Sequence, residues 1–293
     1  MKPQAADSVA AGPAVDTAAA PGDRGTARTE RLSARSGLAV PLTSAGLAIV
    51  ILSAWQYLPP LFRVPKYVIP QVTDLLSEGV RMWMQENLLH HFISTATMSV
   101  LGFVLGSALG AAFGYALGLL PTVERVLSPY ILALQIVPKV AFAPLFILWF
   151  GYNALPKVTV TVLVVFFPIL VNVLQAMRMM DRDMVNLARA CNMSRTKIFW
   201  KIMVPFSMPN LLAGLRIGTT LAVIGITVGE LVGGETGLGY LISFGQGQAN
   251  TAMVFDAIAL LTVIGIAMYW VVAYIEARVL HYVPRAVGGE QAW

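Results

Sequence analysis

Six stretches of the chain are apolar for long enough to cross a lipid bilayer: residues 39–58, 98–120, 131–150, 158–176, 211–232 and 257–274. A bilayer core takes about 20 apolar residues per helix. In lipid every backbone polar group must be satisfied within the segment, so each stretch is predicted as a membrane-spanning α-helix. The connectors between them differ. Residues 59–91 open with Pro59, Pro60, Pro65 and Pro70 and continue as an amphipathic stretch, 72–89, expected to lie along a membrane surface. Residues 177–210 are polar and helical in spacing. The connector after the fifth span mixes Gly233, Gly234, Gly237 and Gly239 with apolar residues and then reads Gly245, Gln246, Gly247, Gln248. That is the pattern of a re-entrant or interfacial segment. Irregular backbone at such depth is tolerated only against protein or a water-filled cavity, so this connector is expected to roof a pathway.

The second span carries a packing signal. Gly102, Gly106, Gly110, Gly114 and Gly118 recur every four residues and share one helix face. Missing side chains on one face let another helix backbone approach closely, the small-xxx-small device of membrane bundles. This face is expected in the bundle core.

Composition agrees with a membrane protein. Hydrophobic residues make up 57% of the chain and charged residues 12%, with a mean hydropathy of +0.71; a soluble domain carries about twice that charge fraction. The net charge of +5 does not point to nucleic acid, because the cations lie beside spans rather than in a run with interleaved aromatics. One cysteine, Cys191, excludes a disulfide within the chain and any CxxC metal site. Residues 1–37 are rich in Ala, Pro, Gly and charge and read as a disordered cytoplasmic tail with no secretory signal. Residues 38–284 form the transmembrane domain, and 285–293 a second cytoplasmic tail. Assigning connectors alternately puts fourteen Lys/Arg on one side and four (Arg63, Lys66, Arg81, Lys157) on the other. The basic side faces the cytoplasm, so both termini are expected there.

The connector 177–210 holds six of those cations, Arg178, Arg182, Arg189, Arg195, Lys197 and Lys201, against two acids, Asp181 and Asp183. Its length and helical pattern suit a docking element for a soluble partner. Three charges fall within or at the edge of spans: Lys139 after Pro138, Arg216 one turn into the fifth span, and Glu230 at that span's end. An intramembrane ionisable residue is a functional candidate by default. Lys139 either lines a pathway and attracts an anion or snorkels to the interface, with Pro138 marking where an interfacial helix turns into the span. Glu230, near the outer side, is a candidate for gating or for pairing with a partner charge. His90 and His91 are adjacent, point to different helix faces, and make a poor metal site. There is no phosphate loop, zinc-protease or nucleophile-elbow motif, so energy for active transport would come from another chain or an ion gradient.

The basic connector resembles the EAA loop of ABC-importer permeases. The triplet aligns with Asn186, Leu187 and Ala188, the loop glycine with Asn192, and the closing Ile-x-Leu-Pro with Ile202 through Pro205. The Glu, first Ala, Gly and Leu are replaced, yet the spacing from Asn192 to Ile202 and Pro205 holds. Pro138 with residues 141–151, the 214–216 triplet Gly-Leu-Arg, Glu230, and the 237–240 run Gly-Leu-Gly-Tyr resemble the branch that carries nitrate, sulfonate and taurine. The resemblance covers about 39–284. It implies an all-α, type I importer-like permease fold in a bacterial inner membrane, with a coupling helix over 187–200 contacting a cytoplasmic ATPase. Ala188, Arg189, Ala190, Asn192, Ser194 and Arg195 would lie at or beside that contact, with Ile202 and Pro205 closing the motif. Asn192 tolerates the left-handed turn that a glycine would make.

The implied partners are two ABC ATPase subunits binding ATP with Mg, a second permease copy, an extracytoplasmic solute-binding protein and membrane lipid; this chain would bind no cofactor or metal. The branch and Lys139 lean towards a small anion or polar organic solute. Residues 244–253 resemble members assigned to pyrimidine-like or aromatic substrates. The competing class is a self-contained secondary transporter or channel, which would need coupling-ion sites on broken helices and inverted repeats; a membrane-embedded enzyme would need polar constellations that are not evident.

Overall fold

The computed structural model describes residues 26–282, and among them the fold is helical throughout. It divides into two compact units, Met1–Trp55 and Gln56–Trp293. The first holds most of α1 (Thr26–Leu61), which begins within the segment read as a tail; residues 1–25 and 283–293 lie outside the described region.

The second unit contains α2 (Val72–Gln85), α3 (Leu88–Gly118), α4 (Pro121–Ile136), α5 (Ala143–Phe150), α6 (Ala154–Met179), α7 (Arg182–Ala190), α8 (Arg195–Ile198), α9 (Val204–Gly233), α10 (Leu238–Gly247) and α11 (Thr251–Val279). Across both units, five helical segments are long and apolar enough to span a membrane, and α4 with α5 forms one further span bent by 76°. The six predicted spans are therefore present, one of them broken. The break follows from Pro138. A residue before proline is pushed out of the helical region, and Val137 sits at φ −58°, ψ 131°. A 3-10 turn, Lys139–Phe142, then redirects the chain into α5.

The core is built around α6, the most buried of the spans. It packs between α3 and α9. On the α3 side all five glycines of the predicted face lie against it. A Cβ at Gly102 would come within 2.5 Å of Thr161, at Gly110 within 2.6 Å of the Phe166 carbonyl, and at Gly114 within 2.8 Å of Val173. Facing glycines on α9 do the same from the other side: a Cβ at Gly225 would sit 2.8 Å from the Thr161 Cα, and one at Gly229 2.8 Å from the Lys157 Cα. Lipid offers no hydrophobic drive for helix association, so close backbone approach and the dispersion contacts it allows hold this three-helix layer together.

Two boundaries differ from expectation. Helix α3 starts at Leu88, ten residues before the predicted span, because the polar residues that interrupt the hydropathy pattern there are satisfied within the bundle. The glycine-rich connector is not wholly irregular. It folds into α10, with Leu238, Leu241 and Ile242 in the core cluster beside Met253 and Ala257 of α11.

Candidate functional site

Two places concentrate polar chemistry, and they lie at opposite ends of α9. The first is the basic connector. Asp181 caps α7 by accepting the Asp183 N–H at 2.8 Å, and Ser194 caps α8 by accepting the Lys197 N–H at 3.4 Å. Between the two helices Asn192 adopts φ +55°. Its N–H bonds the Arg189 carbonyl (2.9 Å), and the Met193 N–H bonds the Ala188 carbonyl (3.0 Å). This pairing is a Schellman turn, which needs a left-handed residue where α7 ends. Asparagine supplies it at a lower steric cost than most residues. The single helix expected over 187–200 is thus two short helices broken at 191–194, because the left-handed residue cannot continue α7.

Ala188 (5% exposed) and Ile198 (3% exposed) anchor the turn to the body. Phe199 stacks edge-on against Tyr115 of α3, whose hydroxyl bonds Ser207 Oγ at 2.7 Å. From Phe199 to Met203 the helix widens to a π-turn, in which the Val204 N–H reaches back to the Phe199 carbonyl. Pro205 explains the widening: it has no N–H to continue the ordinary ladder. Ile202 is half-buried in this turn. Arg189, Ala190, Asn192, Ser194 and Arg195 are exposed. Of the six cations, Arg178 is held by Glu124 and Ser128 of α4. Among the described residues no ion pair is found for the other five. Met184, Leu187 and Trp200 add exposed apolar surface (47%, 67% and 63%) that charge counting overlooked; apolar residues on an otherwise polar stretch were the available signal.

The second place is the joint between α9 and α10. Glu230 is completely buried. Its carboxylate accepts the Thr95 hydroxyl at 2.9 Å and the Gly239 N–H at 2.9 Å. Thr95 Oγ1 in turn accepts the Leu238 N–H at 2.8 Å. His91 Nδ1 accepts the Gly237 N–H at 2.9 Å, and its ring stacks on Tyr240. Lys157, which the sequence placed in an external loop, is 7% exposed and donates to the Thr236 carbonyl at 3.1 Å. Gly237, at φ +115°, makes the wrap possible: a Cβ there would overlap the Glu230 carboxyl group. Thr95, His91 and Lys157 were not singled out as parts of one site, and nothing in their sequence spacing marks them so.

Lys139 and Arg216, the other two charges singled out within the spans, each have a local partner. Lys139 Nζ donates to the Gln135 carbonyl (2.8 Å) and sits over the Phe167 ring at 4.7 Å, so it caps the end of α4 at the bend. Arg216 Nε lies 2.5 Å from Glu276 Oε2, and its guanidinium lies over the Tyr269 ring. Outside the spans, Lys66 bonds Asp74 and holds its carboxyl below the usual range, while Arg81 does the same for Glu78. Glu78 also accepts Asn250 Nδ2 at 2.7 Å, fastening α2 to the turn between α10 and α11.

The described residues form a multi-pass helical bundle with a close-packed glycine core and a basic connector between spans. The chain belongs to the family of binding-protein-dependent transport system inner membrane components, whose model matches residues 102–281. It is 36% identical over 248 residues to the riboflavin transport system permease protein RibX of Chloroflexus aurantiacus, covering 84% of this chain and 90% of that protein. It is 39% identical over 154 residues to the formylaminopyrimidine transport permease protein ThiX of Halalkalibacterium halodurans (53% and 62%), and 28% identical over 227 residues to the taurine transport system permease protein TauC of Escherichia coli (75% and 82%). In fold it is similar to a chain of the inward-facing MetNI methionine ABC transporter, at a TM-score of 0.58 and 18% identity over 67% of this chain and 97% of that one. The chain is thus an inner-membrane permease component of an ABC importer.

Proposed function

We propose that this permease forms the solute pathway of an ATP-driven importer and takes its energy through the 177–210 connector. Two cytoplasmic ATPase subunits, binding ATP with Mg, dock there; a second permease copy completes the pathway, and an extracytoplasmic binding protein delivers solute. Both termini then lie in the cytoplasm, in keeping with the excess of cations on that side. The observation that carries this reading is the Schellman turn at Asn192. It presents Arg189 and Arg195 in the open beside Leu187, with buried Ala188 and Ile198 fixing the turn to the body. Exposed guanidinium groups suit carboxylates and backbone carbonyls of a partner, and an adjoining apolar patch gives the contact a centre.

The solute we infer is a small polar organic molecule, with a nitrogen heterocycle favoured over a sulfonate. The relatives named for riboflavin and formylaminopyrimidine share more identity with this chain than the one named for taurine. Of the intramembrane ionisable residues, Glu230 is the one we assign to gating, through its hold on α10; Lys139 caps the end of α4.

The test is a mild-detergent pull-down of the tagged chain from its native membrane. A stoichiometric ATPase, lost when Arg189 and Arg195 are both changed to Glu, is the expected result. A homo-oligomer free of ATPase, under conditions that keep other membrane complexes whole, would overturn the reading in favour of a self-contained transporter. Uptake into cells, competed with riboflavin, a formylated aminopyrimidine and taurine in turn, checks the solute class.

A further inference from the structure

Helix α10 is ten residues long, about 15 Å, half of what a bilayer core requires. It is held at both ends by acids from other helices. At its start the Leu238 and Gly239 N–H groups are satisfied by Thr95 and Glu230. At its end the Asn250 N–H bonds the Gly245 carbonyl, Ala249 turns the chain at φ +55°, and the Asn250 side chain is tied to Glu78 of α2.

The way the start is held is unusual. A helix is ordinarily capped by its own N-cap side chain, but the N-cap here is Gly237, which has none. The chain instead spends a fully buried carboxylate from α9. Among the described residues Glu230 has no cation within ion-pair distance. A buried ionisable group of this kind is costly and is retained in membrane proteins for function rather than for stability. Its compensation is the N-terminal end of the α10 dipole together with the Thr95 and Gly239 hydrogen bonds.

Glu230 also lies at the far end of a long helical segment. This segment runs from Arg195 to Gly233, 39 residues, or about 58 Å, passing through the π-turn at Phe199–Met203 and Pro209. Its first turns belong to the basic connector and its last turn carries Glu230. We propose that Glu230 is a positioning residue that ties α10 to α9, so that a displacement of the connector is delivered along α9 to α10, which moves as part of the pathway's gate. The proposal rests on the reading that an ATPase docks at 177–210.

The test uses the whole permease–ATPase complex from native membranes, in a Cys191→Ser background carrying Gln246→Cys on the exposed end of α10. A membrane-impermeant maleimide is the probe, applied without nucleotide and with ATP plus vanadate. With Glu230 intact, the labelling rate at position 246 is expected to differ at least fivefold between the two states. Glu230→Gln reduces the difference below twofold while ATPase recovery and ATP hydrolysis stay within twofold. Thr95→Val does the same, and Thr95→Ser, which keeps the hydroxyl, restores the difference. A nucleotide-dependent difference that survives both Glu230→Gln and Thr95→Val overturns the proposal, as does its absence with Glu230 intact. So does a joint fall of labelling difference and ATP hydrolysis, which marks a purely structural role. If no ATPase accompanies the unaltered chain, the docking reading has failed, and that is seen before any labelling.

Discussion

At one end of α9, six cationic side chains stand in the open and only Arg178 has an acidic partner among the described residues; at the other, one carboxylate is sealed away and every bond it accepts comes from within the bundle. The difference lies in what each region must do with charge. An exposed cation loses little by being unpaired, since water solvates it, so it can wait for a partner. A buried carboxylate has no such option. It must be satisfied by the fold, and in being satisfied it organises the fold around itself. The backbone follows the same division. The open end uses Asn192 for its left-handed turn, with room for a side chain, whereas the sealed end needs Gly237 because a Cβ would strike the carboxyl it encloses.

The comparison depends first on the glycine layer that packs α3, α6 and α9 together between the two ends. Gly110→Val drives a side chain into the Phe166 carbonyl and should cost about 3 kcal/mol, read as a drop in the thermal unfolding midpoint in detergent; a midpoint unchanged within 1 or 2 °C (roughly the scatter of such a readout) would show that α3 and α6 are looser than described. Next comes the open end. Arg189→Glu with Arg195→Glu should cut ATPase recovery at least about tenfold, or 1.4 kcal/mol, with membrane insertion unaltered, because neither side chain supports the fold. A smaller effect is expected of the turn itself. Asn192→Val, at a left-handed position, should cost about 1–2 kcal/mol and lower ATPase recovery, while Asn192→Gly should leave it intact; equal loss in both would place the requirement in the amide rather than the backbone. The smallest is Lys139→Met. It removes a cation from the end of α4, worth about 0.3–1 kcal/mol, and should shift unfolding by a few degrees at most. A large loss of uptake with that small shift would give Lys139 a role in the pathway beyond capping.

The spans were legible because a bilayer filters for about 20 apolar residues in a row, and that signal is local. So was the glycine face of α3: Gly102 to Gly118 repeat at helical spacing, and all five meet α6. The answering glycines of α9, at 214, 218, 225 and 229, are spaced four, seven and four apart, so they do not form the unbroken series that makes the α3 face legible. The bend at Pro138 was foreshadowed by its residue type, but its 76° angle and the use of Lys139 to cap α4 were not. In the connector, asparagine's tolerance of the left-handed region points to the turn, whereas the helical pattern continues across it and hides the break at 191–194.

What the sequence determined by itself, then, was whatever depends on residues a few positions apart: six spans, a glycine stripe, a basic connector and the glycine-rich stretch after the fifth span. Only the tertiary structure decided that this last stretch folds into α10 and that Glu230 holds it. The bonds concerned join residues 135 positions apart for Thr95 with Glu230, 146 for His91 with Gly237 and 79 for Lys157 with Thr236. A buried polar group must find a partner, but hydropathy and spacing cannot say which, because that partner is chosen by how the helices pack.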